Sequence, residues 1–319
     1  MKGFLYTCVL FGALLLQTSA QDAKNPIYRS RTRPEVKSTN KQLADYEKNP
    51  ANKPKIDFVP KTDGEPQPDT AGVAGGKVST QIIGGTRATQ TQIPWQVLLS
   101  IDNTWVCGGS IISSLWVVTA AHCLFNSTST VIYAGGIDYY NKAESNEVAV
   151  TSTVYTVHEQ YDDNNLFNDI AVIKSPSALP MNSYINAIRL PKQSQASTTF
   201  AGLTMQASGY GQNKNTGPVS SYLYYVALKT ITNTLCARTY GTKYIISSII
   251  CTAASSTKTI CSGDSGGPLA YKESDGKWTL IGIVSFGHIR SCTNYPAGYS
   301  RVTSFLGWIG QKTSIAITP

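Results

Sequence analysis

From residue 82 onward, apolar positions gather in short runs at 95–101, 111–119, 131–134, 170–174, 223–228 and 278–286. Each run is rich in Val, Ile, Thr, Tyr or Trp, and Gly, Asn, Ser or Pro separates it from the next. β-Branched and aromatic residues suit a pleated, half-buried surface, so each run predicts a strand. Evenly spaced short strands over about 230 residues predict an all-β barrel or sandwich. Only near the end does a helical period emerge, where Phe305, Trp308, Ile309 and Lys312 share one face.

The first 81 residues follow neither pattern. Lys2 precedes an apolar run from Phe4 to Leu16, and Thr18-Ser19-Ala20 follows it. Small residues one and three places before a cut are what a signal peptidase needs, which predicts a secretory signal over 1–20. The run is shorter than the roughly 20 residues of a membrane span. Residues 21–81 carry Pro26, Pro34, Pro50, Pro54, Pro60, Pro66 and Pro68, many charges and few aromatics. Such a stretch has too little apolar area to offset its ordering entropy, and disorder is the expectation.

Charge and cysteine content narrow the class. The formal net charge is +8, scattered, with no basic run interleaved with aromatics, which argues against a nucleic-acid partner. Of seven cysteines, Cys8 leaves with the signal, and the six that remain predict three disulfides in an oxidising compartment. Spacing alone leaves every pairing open. No Cys-x-x-Cys pair supports a zinc site, and neither metal nor cofactor is expected.

Three segments carry the candidate chemistry: Val118-Thr119-Ala120-Ala121-His122-Cys123, Asn168-Asp169-Ile170-Ala171-Val172 and Gly263-Asp264-Ser265-Gly266-Gly267-Pro268. Singly, each reads as a packed histidine, an Asn-Asp turn or a glycine loop. Jointly they supply His, Asp and Ser in that order. Lipases and esterases also use Gly-x-Ser-x-Gly, but on a strand–turn–helix and with the serine first.

On these motifs, the chain over residues 82–312 resembles the chymotrypsin/trypsin-like serine proteases, and its small cysteine set resembles their invertebrate chymotrypsin and collagenase branch. The resemblance implies two packed six-stranded antiparallel Greek-key barrels with a C-terminal helix, as one domain over 82–319. It implies bridges Cys107–Cys123, Cys236–Cys251 and Cys261–Cys292. It further implies His122, Asp169 and Ser265 as the catalytic triad, Gly263 and Ser265 N–H groups as the oxyanion hole, and Ser285 as a hydrogen-bond donor behind Asp169. Ile82-Ile83-Gly84-Gly85 resembles a mature amino terminus whose freed amine pairs with Asp264, so residues 21–81 would be a propeptide. Family members are usually cut after Arg or Lys, whereas Gln81 stands here.

The positions that match the family's pocket are Thr259 at the base with Ile260 beside it, and Gly287 and Ala297 on the walls, with Ser285 and Phe286 also expected to bind substrate. An unpaired buried cation is heavily penalised, so Thr259 argues against cleavage after Arg or Lys and for apolar or aromatic residues. The expected partners are protein or peptide substrates, an activating protease and protein inhibitors, with no membrane and no nucleic acid, around a secreted monomer. Asn126-Ser127-Thr128 is a glycosylation sequon. His158 is expected on a surface loop, His288 at the outer edge of the cleft, and Glu144 and Glu147 as solvated charge. A catalytically silent binding protein on the same fold is the rival reading, and it would normally lack one triad residue.

Overall fold

A computed structural model describes residues 27–28, 82–139, 144–215, 218–288 and 291–319. The expected signal over 1–20 and the leader over 21–81, apart from Ile27–Tyr28, lie outside the described residues. Strands β1 (Ile27–Tyr28) and β2 (Thr86–Arg87) precede two barrels.

The first barrel is built from β3 (Gln96–Ile101), β4 (Trp105–Ser113), β5 (Trp116–Thr119), β6 (Thr130–Ala134), β7 (Val148–Ser152), β8 (Tyr155–Val157) and β9 (Ala171–Lys174). Its spatial order is β7-β6-β3-β4-β5-β9-β8, all antiparallel. Because β7 and β8 are successive pieces of one path, interrupted at Thr153 and Val154, the sheet closes as six strands. The expected single run over 111–119 is corrected to parts of β4 and β5. Serine decides it: Ser113 Oγ accepts the Leu115 N–H and supports a turn where the ladder would otherwise continue.

The second barrel comprises β10 (Thr204–Gly209), β11 (Tyr224–Ile231), β12 (Ile249–Thr252), β13 (Pro268–Lys272), β14 (Trp278–His288) and β15 (Ala297–Arg301). Its order is β14-β13-β10-β11-β12-β15, and β15 pairs back onto β14, which closes the ring. The barrels thus leave no long open edge. β2 adds to β11, and β1 adds to the end of β14.

Inward positions alternate as the strand period demands: Val97, Leu99 and Ile101 on β3, with Ile132 and Ala134 on β6, fill the first barrel. Met205, Ala207, Val226, Leu228, Ile281 and Tyr299 fill the second. Between them, Ser208 Oγ on β10 donates to Gln96 Oε1 on β3 at 2.7 Å, both buried. This polar contact satisfies two groups where two apolar barrels meet.

Among the described residues three α-helices complete the fold: α1 (Ala121–Leu124), α2 (Asn233–Tyr240) and α3 (Leu306–Thr313). α2 was not anticipated, since it is short and buries only Cys236 and Tyr240. Its local signals exist nonetheless: the Thr232 side chain caps the Leu235 N–H at 3.2 Å, and Gly241 ends it at φ 90°. α3 buries Leu306, Ile309 and Thr313, while Phe305 belongs to the preceding 3-10 turn. Trp308 instead packs tilted against His158, 5.1 Å between centroids, and donates to Glu159, which also pairs with Lys312. His158 is therefore half-buried beneath α3 rather than on a free loop, and burial holds its pKa below the ordinary value.

The disulfides pair as the resemblance implies: Cys107–Cys123, Cys236–Cys251 and Cys261–Cys292. Among the described residues no helix is long and apolar enough to cross a membrane.

Candidate active site

His122 enters the site because α1 begins immediately after β5, and its neighbour Cys123 is bridged to Cys107 on β4. The Trp105 indole N–H donates to the Cys123 carbonyl at 3.0 Å, which fixes the same turn from the other side. Asp169 arrives on a sharp turn before β9. Asn168 adopts φ 54°, a left-handed conformation that Asn tolerates, and its side chain donates to the Gln160 carbonyl.

The Asp169 carboxylate is buried and accepts three hydrogen bonds: the His122 backbone N–H on Oδ1 at 2.9 Å, His122 Nδ1 on Oδ2 at 2.8 Å, and the Ser285 hydroxyl on Oδ2 at 2.6 Å. A buried carboxylate demands that satisfaction. It also selects the tautomer with the proton on Nδ1, leaving Nε2 with a lone pair. A fourth contact was not legible in the sequence: Ser300 Oγ donates to the Asp169 carbonyl at 2.7 Å. Ser285 reaches Asp169 at a register irregularity between Val284 and Phe286 of β14. A bulge there turns a side chain off the ladder.

Ser265 sits in a loop stitched to both barrels. Its carbonyl accepts the Gly108 N–H of β4 at 2.7 Å, while Gly266 N–H donates to the Val284 carbonyl and Gly267 N–H to the Asp264 carbonyl. Gly266 is irreplaceable on geometry: φ is +76°, and a Cβ there would lie 2.0 Å from Thr119 Oγ1 and 2.5 Å from the Gly108 carbonyl oxygen. Gly266→Ala is expected to abolish activity and lower the melting temperature by several degrees, at a cost of about 3 kcal/mol or more. A thermal melt alongside an activity assay checks this.

Asp264, next to the serine, points inward. Its carboxylate accepts N–H groups of Gly211 at 2.8 Å and Cys261 at 2.9 Å, yet no cation reaches it among the described residues. Burial pushes its pKa up to about 7, partly offset by those two N–H groups. Gly209 and Gly211 have no Cβ because one would collide with this carboxylate, at 2.3 and 2.4 Å. Ile82 is already fully buried in the same barrel's core. Beside it, the Ile83 carbonyl accepts the N–H of Thr259, which ties the segment after residue 81 to the stretch that precedes Cys261.

Thr259 is 3% exposed and uncharged. Ile260 and Ala297 join the second barrel's apolar cluster. Phe286 packs edge-on against Tyr240 at 5.3 Å, and among the described residues nothing lies within 4 Å of a Cβ built on Gly287. His288 stacks on Tyr295 at 3.6 Å. Asn126 is exposed on the turn after α1. Glu144 does more than face solvent: its Oε2 accepts the N–H groups of Ile137 and Asp138 at 2.7 and 3.1 Å and so organises its loop, which corrects the expectation of simple solvated charge. Cys107, His122 and Cys123 bring ligand-type atoms within 4.8 Å of one another, but both sulfurs are joined at 2.05 Å and offer no thiolate.

Comparison with known proteins agrees with this geometry. The Trypsin family model matches residues 82–309. Trypsin alpha-4 of Lucilia cuprina is 39% identical over 237 residues, covering 73% of this chain and 88% of that protein. Chymotrypsin-C of Mus musculus is 32% identical over 249 residues, covering 75% and 91%. The solved structure of HL collagenase superposes with a TM-score of 0.66 at 35% identity, covering 74% of this chain and all of that one. With two barrels, three disulfides and the His122–Asp169–Ser285 hydrogen-bond set in place, the chain belongs to the trypsin family of serine proteases.

Proposed function

We propose that this chain is the zymogen of a secreted serine endopeptidase that cuts after apolar or aromatic residues. The observation that carries the reading is the buried Asp169 carboxylate, held by both His122 donors and by Ser285. That arrangement makes His122 Nε2 a base.

Ser265 Oγ attacks the scissile carbonyl while its proton passes to Nε2. The resulting oxyanion is met by the N–H groups of Gly263 and Ser265, each worth about 3 kcal/mol in such a site. His122 returns the proton to the leaving amine, and water repeats the sequence on the acyl-enzyme. Asp169 orients the imidazole and stabilises the imidazolium as it forms.

Specificity rests on Thr259. An Arg or Lys side chain would bury its cation opposite a neutral hydroxyl, whereas Phe, Tyr, Leu or Met would meet Ile260, Ala297 and the open face at Gly287. Relatives named trypsin, chymotrypsin and collagenase all match this chain at 32–39% identity, so the pocket residues rather than the family decide the preference. Thr259→Asp is expected to raise the Arg-to-Phe ratio of kcat/KM at least about tenfold, the scale of one pocket contact. Assays on peptide anilides bearing Phe, Leu, Ala or Arg, with Ser265→Ala as control, test both the chemistry and the pocket. Turnover of Arg alone would overturn the specificity.

In the same reading, residues 1–20 direct export, 21–81 form the propeptide, and 82–319 are the protease domain, acting as a monomer on protein substrates and open to protein inhibitors. The activating cut falls after Gln81, so the activating protease is not of trypsin-like specificity. Asn126 carries the glycan.

A further inference from the structure

The leader contributes one described element, and its position is specific. β1 runs antiparallel to the end of β14, with Ile27 opposite His288 and Tyr28 opposite Gly287. β13 pairs with β14 only as far as Ile283, so β14 continues beyond its barrel partner on that side. This extension is the part of β14 that follows Ser285, the donor to Asp169. The leader's direction carries it from His288 toward Gly287, that is, toward the catalytic groups.

His122 is 0% and Ser265 1% exposed, and the apolar groups nearby, Leu166, Tyr240 and Phe286, are buried as well. A nucleophile and base that must meet a peptide carbonyl are thus both buried in the full-length chain.

We propose that the Gly287–His288 edge is a strand-docking site whose occupant in the full chain is the leader segment at Ile27–Tyr28, held there in competition with substrate. The inference rests on the protease reading above. Backbone N–H and C=O groups on an extended edge bind a peptide strand through ladder hydrogen bonds that any sequence can supply, except where proline removes a donor. While the chain is continuous, docking is intramolecular and favoured by tethering; once it is cut before Ile82, docking becomes bimolecular and weakens on dilution. Cleavage alone therefore does not free the site. Release of the leader is a separate step.

The test uses the full chain with residues 78–81 exchanged for the recognition sequence of a specific protease that leaves Ile82 as the new terminus. It is compared with the same chain carrying Ile27→Pro together with Tyr28→Pro. After cutting, the unaltered leader is expected to co-elute with the protease body in gel filtration. Turnover per mole should rise about tenfold on dilution from micromolar to nanomolar concentration. The proline leader should separate at once, with turnover independent of dilution. An unaltered leader that separates freely overturns the proposal, as does a proline leader that co-elutes equally well. A body that stays inactive after its leader has been removed overturns the protease reading instead, and co-elution still decides the docking.

Discussion

Asp169→Asn is expected to lower kcat on a Phe or Leu peptide anilide about 10⁴-fold at neutral pH, with KM little changed. Three donors converge on this carboxylate: two from His122 and one from Ser285. An amide offers one acceptor oxygen and presents an NH2 group to the rest. Either a donor faces a donor or the imidazole turns to its other tautomer, which places the proton on Nε2 and removes the base. Loss of charge stabilisation on the imidazolium adds to the effect. Ser285→Ala removes only one of the three bonds, and its cost should stay near 1.5–3 kcal/mol, roughly a ten- to hundredfold loss. Steady-state kinetics of the cut enzyme separate the two. A loss under tenfold for Asp169→Asn would remove Asp169 from the mechanism.

The second large effect is the cut itself. In the continuous chain Asp264 is buried, no cation reaches it among the described residues, and burial pushes its pKa up to about 7. Folding therefore takes up a proton between the ordinary carboxylate pKa and about 7. In that window the folded state binds more protons than the unfolded state, so its stability falls as pH rises, by about 4 kcal/mol across the whole range. Asp264→Asn in the uncut chain should flatten this dependence in denaturant titrations at pH 4 to 8.

Cutting before Ile82 supplies an α-ammonium whose side chain is already packed in the same barrel. The pair should organise the loop that carries Gly263 and Ser265, and raise turnover at least about 10³-fold over the uncut chain. In the cut enzyme Asp264→Asn should then cost about 10²- to 10³-fold, the scale of a broken buried ion pair at 3–5 kcal/mol. Activity should also decline at alkaline pH as the amine, with an ordinary pKa near 8, loses its proton. An uncut chain as active as the cut one would refute this coupling.

How much could be read beforehand varies with the reach of the interaction. Seven of the fifteen described strands fall on the predicted apolar runs, because their pattern is local: β3, β6, β9 and β14 lie within a residue or two of those runs, whereas β7, β8, β10, β12, β13 and β15 matched none. The run over 111–119 misled because a two-residue turn at Ser114 and Leu115 is too short to break an apolar average. α2 escaped because a helix buried at only two positions has no apolar stripe to display. His158 was misplaced because α3, which covers it, is about 150 residues away in the chain.

At the site, motif and order singled out His122, Asp169 and Ser265 as candidates, and local geometry is encoded beside two of them: Asn168 for a left-handed turn, and Gly266 for a position with no room for a Cβ. Thr259 and Asp264 were likewise visible as residue types. The sequence alone thus determined which groups are present, the β-rich class and the even cysteine set. Tertiary structure alone decided which donors converge on Asp169, Ser300 among them, the burial that raises the Asp264 pKa, the contact between Ser208 and Gln96, and the seating of Ile27–Tyr28 on β14. The physical reason is the same in each case. Propensity and turn chemistry act over a few residues, whereas desolvation and hydrogen-bond satisfaction depend on what the rest of the chain brings alongside.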